Sequence, residues 1–233
     1  MRGMGMVRAA ALAILVVGGT ARAADEAAVF DVQYVDVEPR AQAKVATVLV
    51  EARAQARKTD GNLGFQAYGE LGRPGRFAIV SAWRDQKALD AYGASADSKQ
   101  WHAALDPVRV AAVDQRAFAW IAGDPLGTVA GRPPAARGAV QVITHMDSIP
   151  TFKDEAAAAL KKLAEASLKD PGLVRYQVLV QTNRGNHFQL LETWRDQKAL
   201  DAHIAAAPTR QFRDAVQPGA GSPYDERLYK ALD

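Results

Sequence analysis

The sequence predicts an α+β protein: two ferredoxin-like βαββαβ modules fused in tandem, with their sheets packed face to face. Three observations carry this. The nonamer Trp83-Arg84-Asp85-Gln86-Lys87-Ala88-Leu89-Asp90-Ala91 returns unbroken as Trp194 to Ala202, an offset of 111 residues. Each copy then switches between two-residue and 3.6-residue periodicity in the order strand, helix, strand, strand, helix, strand. Finally, the strands are apolar at both parities. Val178 and Val180 point one way and Leu179 the other, and Phe77 and Ile79 alternate with Ala78 and Val80. Helices cover only one face of such a sheet, so the second face must be covered by the other copy, enclosing a barrel-like core.

The offset extends outward without a gap. Asp36 falls on Asp147, Pro39 on Pro150, Gly61 on Gly172, Phe77 on Phe188, Asp114 on Asp225 and Arg116 on Arg227. One copy spans residues 29–122 and the other 140–233. Between them, 123–139 contains Gly127, Gly131, Pro133, Pro134 and Gly138, which is linker composition. The period is far longer than the ~20–50 residues of solenoid units, so each copy is a whole domain.

Within a copy, Val29 to Val37 (Val140 to Ser148) forms the first strand. Pro39 (Pro150) opens a helix, since the first turn tolerates a missing N–H. Val45, Val48, Leu49 and Ala52 follow at helical spacing, as do Ala156, Ala159, Leu160 and Leu163. Gly61 and Gly172 end that helix. Leu63 to Gly69 (Leu173 to Gln181) turns through glycine-containing hairpins into Phe77 to Trp83 (Phe188 to Trp194). Asp85 and Asp196 stand as N-caps of a second helix, which carries the nonamer. Past a break it continues as Lys99 to Leu105 (Arg210 to Val216). The last strand is Gln115 to Trp120 (Arg227 to Ala231).

Composition narrows the function. Cysteine is absent, which excludes disulfides, thiolate metal sites and a cysteine nucleophile. The formal charge is only +3 and no basic stripe appears, so nucleic acid is not an expected partner. Residues 1–23 read as a signal peptide. Arg2 and Arg8 give a positive start, Ala9 to Val17 an apolar run, and Ala21-Arg22-Ala23 the small residues of a cleavage site. The run is shorter than the ~20 residues that span a bilayer. Cleavage is expected after Ala23, leaving a periplasmic or secreted chain with no stable membrane anchor.

Glu192-Thr193-Trp194-Arg195-Asp196, followed by Ala199-Leu200-Asp201-Ala202-His203, resembles the antibiotic biosynthesis monooxygenase family of the dimeric α/β barrel superfamily. The shared pattern is a Glu-x-aromatic strand end, then a helix with an apolar-x-x-His run. The second copy fits it; the first has Ser81 for the glutamate and Tyr92 for the histidine. The resemblance covers both copies. It implies a barrel of two modules, here within one chain, and oxygenase activity on quinols or aromatic polyketides with neither metal nor flavin. A haem-degrading branch uses a first-strand asparagine, where Tyr34 and His145 stand here. Its helix tryptophan corresponds to Tyr92 and His203. Only His102 is near the place of that branch's histidine, so haem degradation is not expected.

The offset converts Tyr34 and Tyr92 into His145 and His203. Each pair joins the first strand to the second helix, and each is expected to share a pocket. His203 reads as a general base near neutral pH, and His145 as the residue that orients the substrate or shares its proton. Trp194, Trp83, Tyr34 and Tyr92 read as aromatic walls for a planar substrate. Glu192 is placed to pair with Arg195 or to hold a histidine. Trp101 and His102 belong either to a copy-one pocket or to a half-buried helix face. His187, at a hairpin edge, is given no role. No metal and no cofactor is expected. The function expected is a periplasmic, cofactor-independent monooxygenase of a small aromatic or quinol. Alternatives are a non-catalytic carrier of a small hydrophobic ligand and a structural barrel with a filled core. The chain is expected to be a monomer with an internal pseudo-dimer, or a homodimer weakly joined through exposed strand edges.

Overall fold

The computed structural model describes residues 28–125 and 135–232. The segment read as a signal peptide and most of the linker lie outside the described residues. Module one comprises β1 (Val29–Asp36), α1 (Gln42–Ala56), β2 (Asn62–Glu70), β3 (Arg76–Trp83), α2 (Gln86–Ala94), α3 (Ala96–Leu105) and β4 (Asp114–Gly123). Module two repeats them as β5 (Val140–Asp147), α4 (Lys153–Ser167), β6 (Leu173–Gln181), β7 (Arg184–Trp194), α5 (Gln197–Ile204), α6 (Ala207–Val216) and β8 (Asp225–Ala231).

The local signals act as expected, with small differences. Asp85 Oδ1 accepts from the Ala88 amide and Asp196 Oδ1 from the Ala199 amide, both at 2.8 Å. Each cap contributes about 1 kcal/mol. Pro39 and Pro150 open short 3₁₀ turns before α1 and α4 begin. The break in the second helix separates α2 from α3 and α5 from α6. Ser95 caps α3, whereas Pro208 occupies the first turn of α6. The last strands run longer than expected, and Gly123, counted with the linker, ends β4. Its φ is +84°, and a Cβ placed there would run into the Tyr176 carbonyl oxygen, so the position has room for glycine alone.

Each sheet has the order β4-β1-β3-β2 or β8-β5-β7-β6. The two also join edge to edge. β2 pairs with β8 and β4 with β6, both antiparallel, closing an eight-stranded barrel. Every strand of the barrel therefore has a neighbour on both sides, although the β2–β8 seam pairs only Tyr68–Glu70 with Tyr229–Ala231.

Parity sorts the side chains of every strand. Phe30, Val32, Phe118, Ile143, Leu179 and Tyr229 point inward and fill the barrel. Val35, Phe77, Ile79 and Trp83 point outward under the helices of module one, and Met146, Tyr176, Phe188 and Trp194 under those of module two. The molecule thus has three cores, and each candidate site residue belongs to one of them.

Candidate functional site

Parity decides which candidate residues can meet. Tyr34 and His145 lie on the inner face of β1 and β5, with ring centroids 5.1 Å apart. His203, Tyr92, Trp83 and Trp194 lie on the outer faces, under the helices. His145 and His203 are therefore separated by the sheet of module two. The pocket expected to join them does not form, and the Tyr34–Tyr92 pair is divided in the same way.

In module two, His203 is packed in. Its side chain is 5% exposed, and Nδ1 lies 2.7 Å from Asp170 Oδ2. Its ring lies 4.6 Å from that of Trp194. The Trp194 indole N–H donates to Glu192 Oε2 at 2.9 Å, and Glu192 Oε2 lies 3.9 Å from His203 Nε2. Glu192 thus stands beside the histidine, while Arg195 turns to Asp196 at 2.9 Å. Burial pushes the Glu192 carboxyl up to about 8. Burial also holds the His203 imidazole below its ordinary range, against the pull of Asp170. A cavity of about 570 Å³ opens nearby, walled by Met146, Arg213, Val216 and Tyr224; His203 does not line it.

In module one the same region opens into a cavity of about 850 Å³, lined by Asp31, Gln33, Tyr92, Ser98, His102 and Gln115 among others. Asp31 is 2% exposed and Gln33 4%. Gln33 Nε2 donates to Asp31 Oδ2 at 2.8 Å, and Gln115 Nε2 to Asp31 Oδ1 at 2.9 Å. Burial raises the Asp31 carboxyl above the usual range, against these two amides and His102. His102 Nε2 lies 3.1 Å from Gln33 Oε1, and Nδ1 lies 2.8 Å from the Ser98 carbonyl oxygen. Since Gln33 spends its NH₂ on Asp31, both imidazole nitrogens of His102 face carbonyl oxygens.

Tyr92 lines the side of this cavity, with the indoles of Trp83 and Trp101 packed behind it. Tyr92 stacks on Trp83 at 4.7 Å, and its hydroxyl accepts from Trp101 Nε1 at 3.1 Å. Burial pushes its phenol up to about 12. Trp101 stacks on His102 at 3.6 Å. Trp83 itself is fully buried and donates to Ser81 Oγ at 3.0 Å. Module two has Val142, Thr144, Arg213 and Glu226 at the positions of Asp31, Gln33, His102 and Gln115. The sequence reading passed over Asp31 and Gln33. Their signal was present: two polar residues at the outward, helix-covered parity of a strand, one of them opposite a valine in the other copy.

The third compartment is the barrel mouth, a cavity of about 780 Å³ where Tyr34, His145 and Tyr229 lie beneath Arg116 and Arg227. His187, given no role from sequence, is 2% exposed and lies here. Its Nδ1 donates to Asp147 Oδ1 at 2.7 Å, and its Nε2 accepts from Arg116 Nη1 at 3.2 Å. Tyr34 Oη accepts from Gln189 Nε2 at 2.6 Å, and burial holds its phenol well above the ordinary value. Among the described residues, no group of three or more His, Asp or Glu side chains is arranged to hold a metal ion.

Comparison with known proteins agrees with this architecture. Structures of similar fold include two named putative monooxygenases. The one from Lactobacillus acidophilus is 11% identical, with a TM-score of 0.74 over 89% of this chain and 95% of its own. The one from Fusobacterium nucleatum is 15% identical, with a TM-score of 0.79 over 89% and 93%. An anthrone oxidase-like protein, 14% identical, aligns with a TM-score of 0.70 over 90% and 93%. At these identities the likeness is one of fold. No curated protein matches the chain in sequence. Residues 28–104 and 139–216 each match the sequence model of one domain family. With that domain present twice and closed on itself as a barrel, the chain belongs to the antibiotic biosynthesis monooxygenase family.

Proposed function

We propose that this protein is a cofactor-independent monooxygenase of the periplasm, oxidising a small phenol or quinol in the helix-side cavity of module one. The observation that carries the reading is Asp31, a buried carboxylate at the floor of an 850 Å³ cavity, oriented by two glutamine amides. Each of its oxygens accepts one bond and retains a lone pair for a substrate hydroxyl. Burial raises its pKa from the usual range towards the pH at which a general base works best.

In this reading the substrate hydroxyl gives its proton to Asp31. The resulting electron-rich anion reduces dioxygen, the co-substrate. One oxygen atom stays on the organic product and the other leaves as water, with the substrate supplying all the electrons. Gln33 and Gln115 hold Asp31 in place, and Asp31 returns the proton to solvent through the open cavity. Tyr92 supplies a flat wall, backed by Trp83 and Trp101, and the surrounding low dielectric strengthens each charge interaction. His203, marked from sequence as the base, is assigned here to packing against Trp194 and Asp170. Export rests on the signal-like sequence of residues 1–23.

The test is oxygen uptake with a panel of hydroquinones and hydroxylated anthrones. Asp31→Asn should abolish uptake and His203→Ala should retain it. The reverse pattern moves the chemistry to module two. No uptake with any member of the panel removes the enzyme reading in favour of a ligand carrier.

A further inference from the structure

We propose that the barrel mouth is a second small-molecule site, distinct from the module-one cavity, which takes an uncharged phenol or hydroquinone by hydrogen bonds to Tyr34 and His145, with Gln189 holding Tyr34 from behind. This stands independently of the activity proposed above. It rests first on unspent hydrogen-bonding capacity. His145 Nδ1 is buried and has no partner. Gln189 is 0% exposed and spends its NH₂ on Tyr34, and its Oε1 also has no partner. Turning the amide over changes nothing, because one of its two polar atoms is then left out in the same way. His145 and Gln189 face each other across the β5–β7 pairing, so both groups lie on the same inner surface. A buried polar atom without a partner is destabilising, and much of the barrel interior avoids this with apolar side chains.

The chemistry of the ligand follows from the charges. The rim is a set of closed ion pairs: Arg116 with Asp114 at 2.6 Å, Arg184 with Asp147 at 3.1 Å, and Arg227 with Asp225 at 2.5 Å. Arg76 pairs with Asp36 and Arg73 with Glu70, so each acidic group of the rim has its arginine. Below the rim the floor is polar but neutral. His187 is a donor at Nδ1 and an acceptor at Nε2, the pattern of an uncharged ring. His145 is held neutral at pH 7, its pKa lowered to about 4 by burial and then by Arg116 and His187. A cation reaching this floor would meet Arg116 and Arg227, and an anion would find both arginines already committed to Asp114 and Asp225, whereas a neutral hydroxyl can pair with the orphaned His145 Nδ1 without losing a charge's hydration. The rings of His145 and His187 lie 5.6 Å apart, offering flat surfaces to an aromatic ligand.

Fusion of the modules makes the arrangement feasible. A symmetric dimer would repeat each mouth residue across its twofold axis. Here Tyr34 stands opposite His145, Arg76 opposite His187, and Ala78 opposite Gln189. The donor, the acceptor and the space they need come from different copies.

The chain has four histidines, and they report on separate compartments. His102 reports the module-one cavity, His203 the module-two cluster, and His145 with His187 the mouth. The experiment titrates 4-methylphenol, without oxygen, into full-length protein labelled in its histidine rings, with benzoate as the charged control. Expected are saturable shifts of the His145 and His187 resonances with 4-methylphenol and not with benzoate. Tyr34→Phe and Gln189→Met should each weaken this binding about two- to tenfold, as expected for one hydrogen bond. Asp31→Asn should leave it unchanged, so the two sites fail or stand separately. If only His102 shifts, or if benzoate saturates the mouth as readily as the phenol, the proposal is overturned.

Discussion

The indole N–H of Trp194 donates to Glu192 Oε2 at 2.9 Å, fixing a fully buried carboxyl between a strand end and a histidine. Burial lifts that carboxyl from an ordinary value of 4.5 to about 8. The folded state therefore holds a proton that the unfolded chain releases earlier. The stability it contributes is complete below about pH 4.5 and is lost as pH rises through about 8. Urea midpoints should fall across that window, with the loss of stability approaching about 1.4 kcal/mol per pH unit. Glu192→Gln should flatten the profile and be the more stable protein at pH 9.

The two tryptophans of the repeated nonamer should respond differently to loss of the indole N–H. Trp83→Phe frees only the Ser81 hydroxyl and should cost about 0.5–1.5 kcal/mol beyond the packing change. Trp194→Phe leaves the Glu192 carboxyl without its donor and should cost about 1–3 kcal/mol at pH 7. Parallel urea titrations of the two variants check the order.

Asp31→Asn should lower turnover by about 10²–10⁴, the usual weight of a general base, with a smaller loss of melting temperature than Asp31→Val, because the asparagine oxygen still accepts from one of the two glutamine amides. The Asp31 carboxyl is raised by burial, so the ionised form is a burden on the fold as pH increases. Asp31→Val, which copies Val142 of the other module, should destabilise by about 1–3 kcal/mol. It strands the amides of Gln33 and Gln115 with no acceptor. Thermal melts at pH 7 separate the two.

The fold was legible because its signals are local and repeated. The nonamer gave the period, Asp85 and Asp196 gave the helix starts, and apolar residues on both strand faces required a second sheet. The edge-to-edge closure was not legible, since no residue type marks β2 as the neighbour of β8. The candidate site was read only in part. Comparing copies drew attention to Tyr92 and His203, where aromatic and imidazole exchange. Asp31 and Gln33 escaped because the strand was read for its apolar members, and a buried carboxylate shows itself only when its donors, 2 and 84 residues away, are folded around it. Joining His145 to His203 failed for want of parity: strand residues were assigned to elements but not to faces.

Gly123→Ala should break the β4–β6 seam. The added Cβ would collide with the Tyr176 carbonyl oxygen, at a φ of +84°. The Asp124 N–H bond to that oxygen, 2.8 Å long, should lose its hydrogen-exchange protection. A destabilisation of about 1–3 kcal/mol is expected from the backbone alone.

The seams also decide what a module is worth by itself. β8 lies between β5 of its own copy and β2 of the other, and β4 lies between β1 and β6. Cutting the chain between the copies would leave two fragments held like interlocked fingers, able to re-form one barrel from separate pieces. Either fragment alone would carry two bare strand edges and an uncovered apolar sheet, and would seek a twin. The connecting segment thus keeps the halves at high effective concentration, while recognition between them resides in the strands.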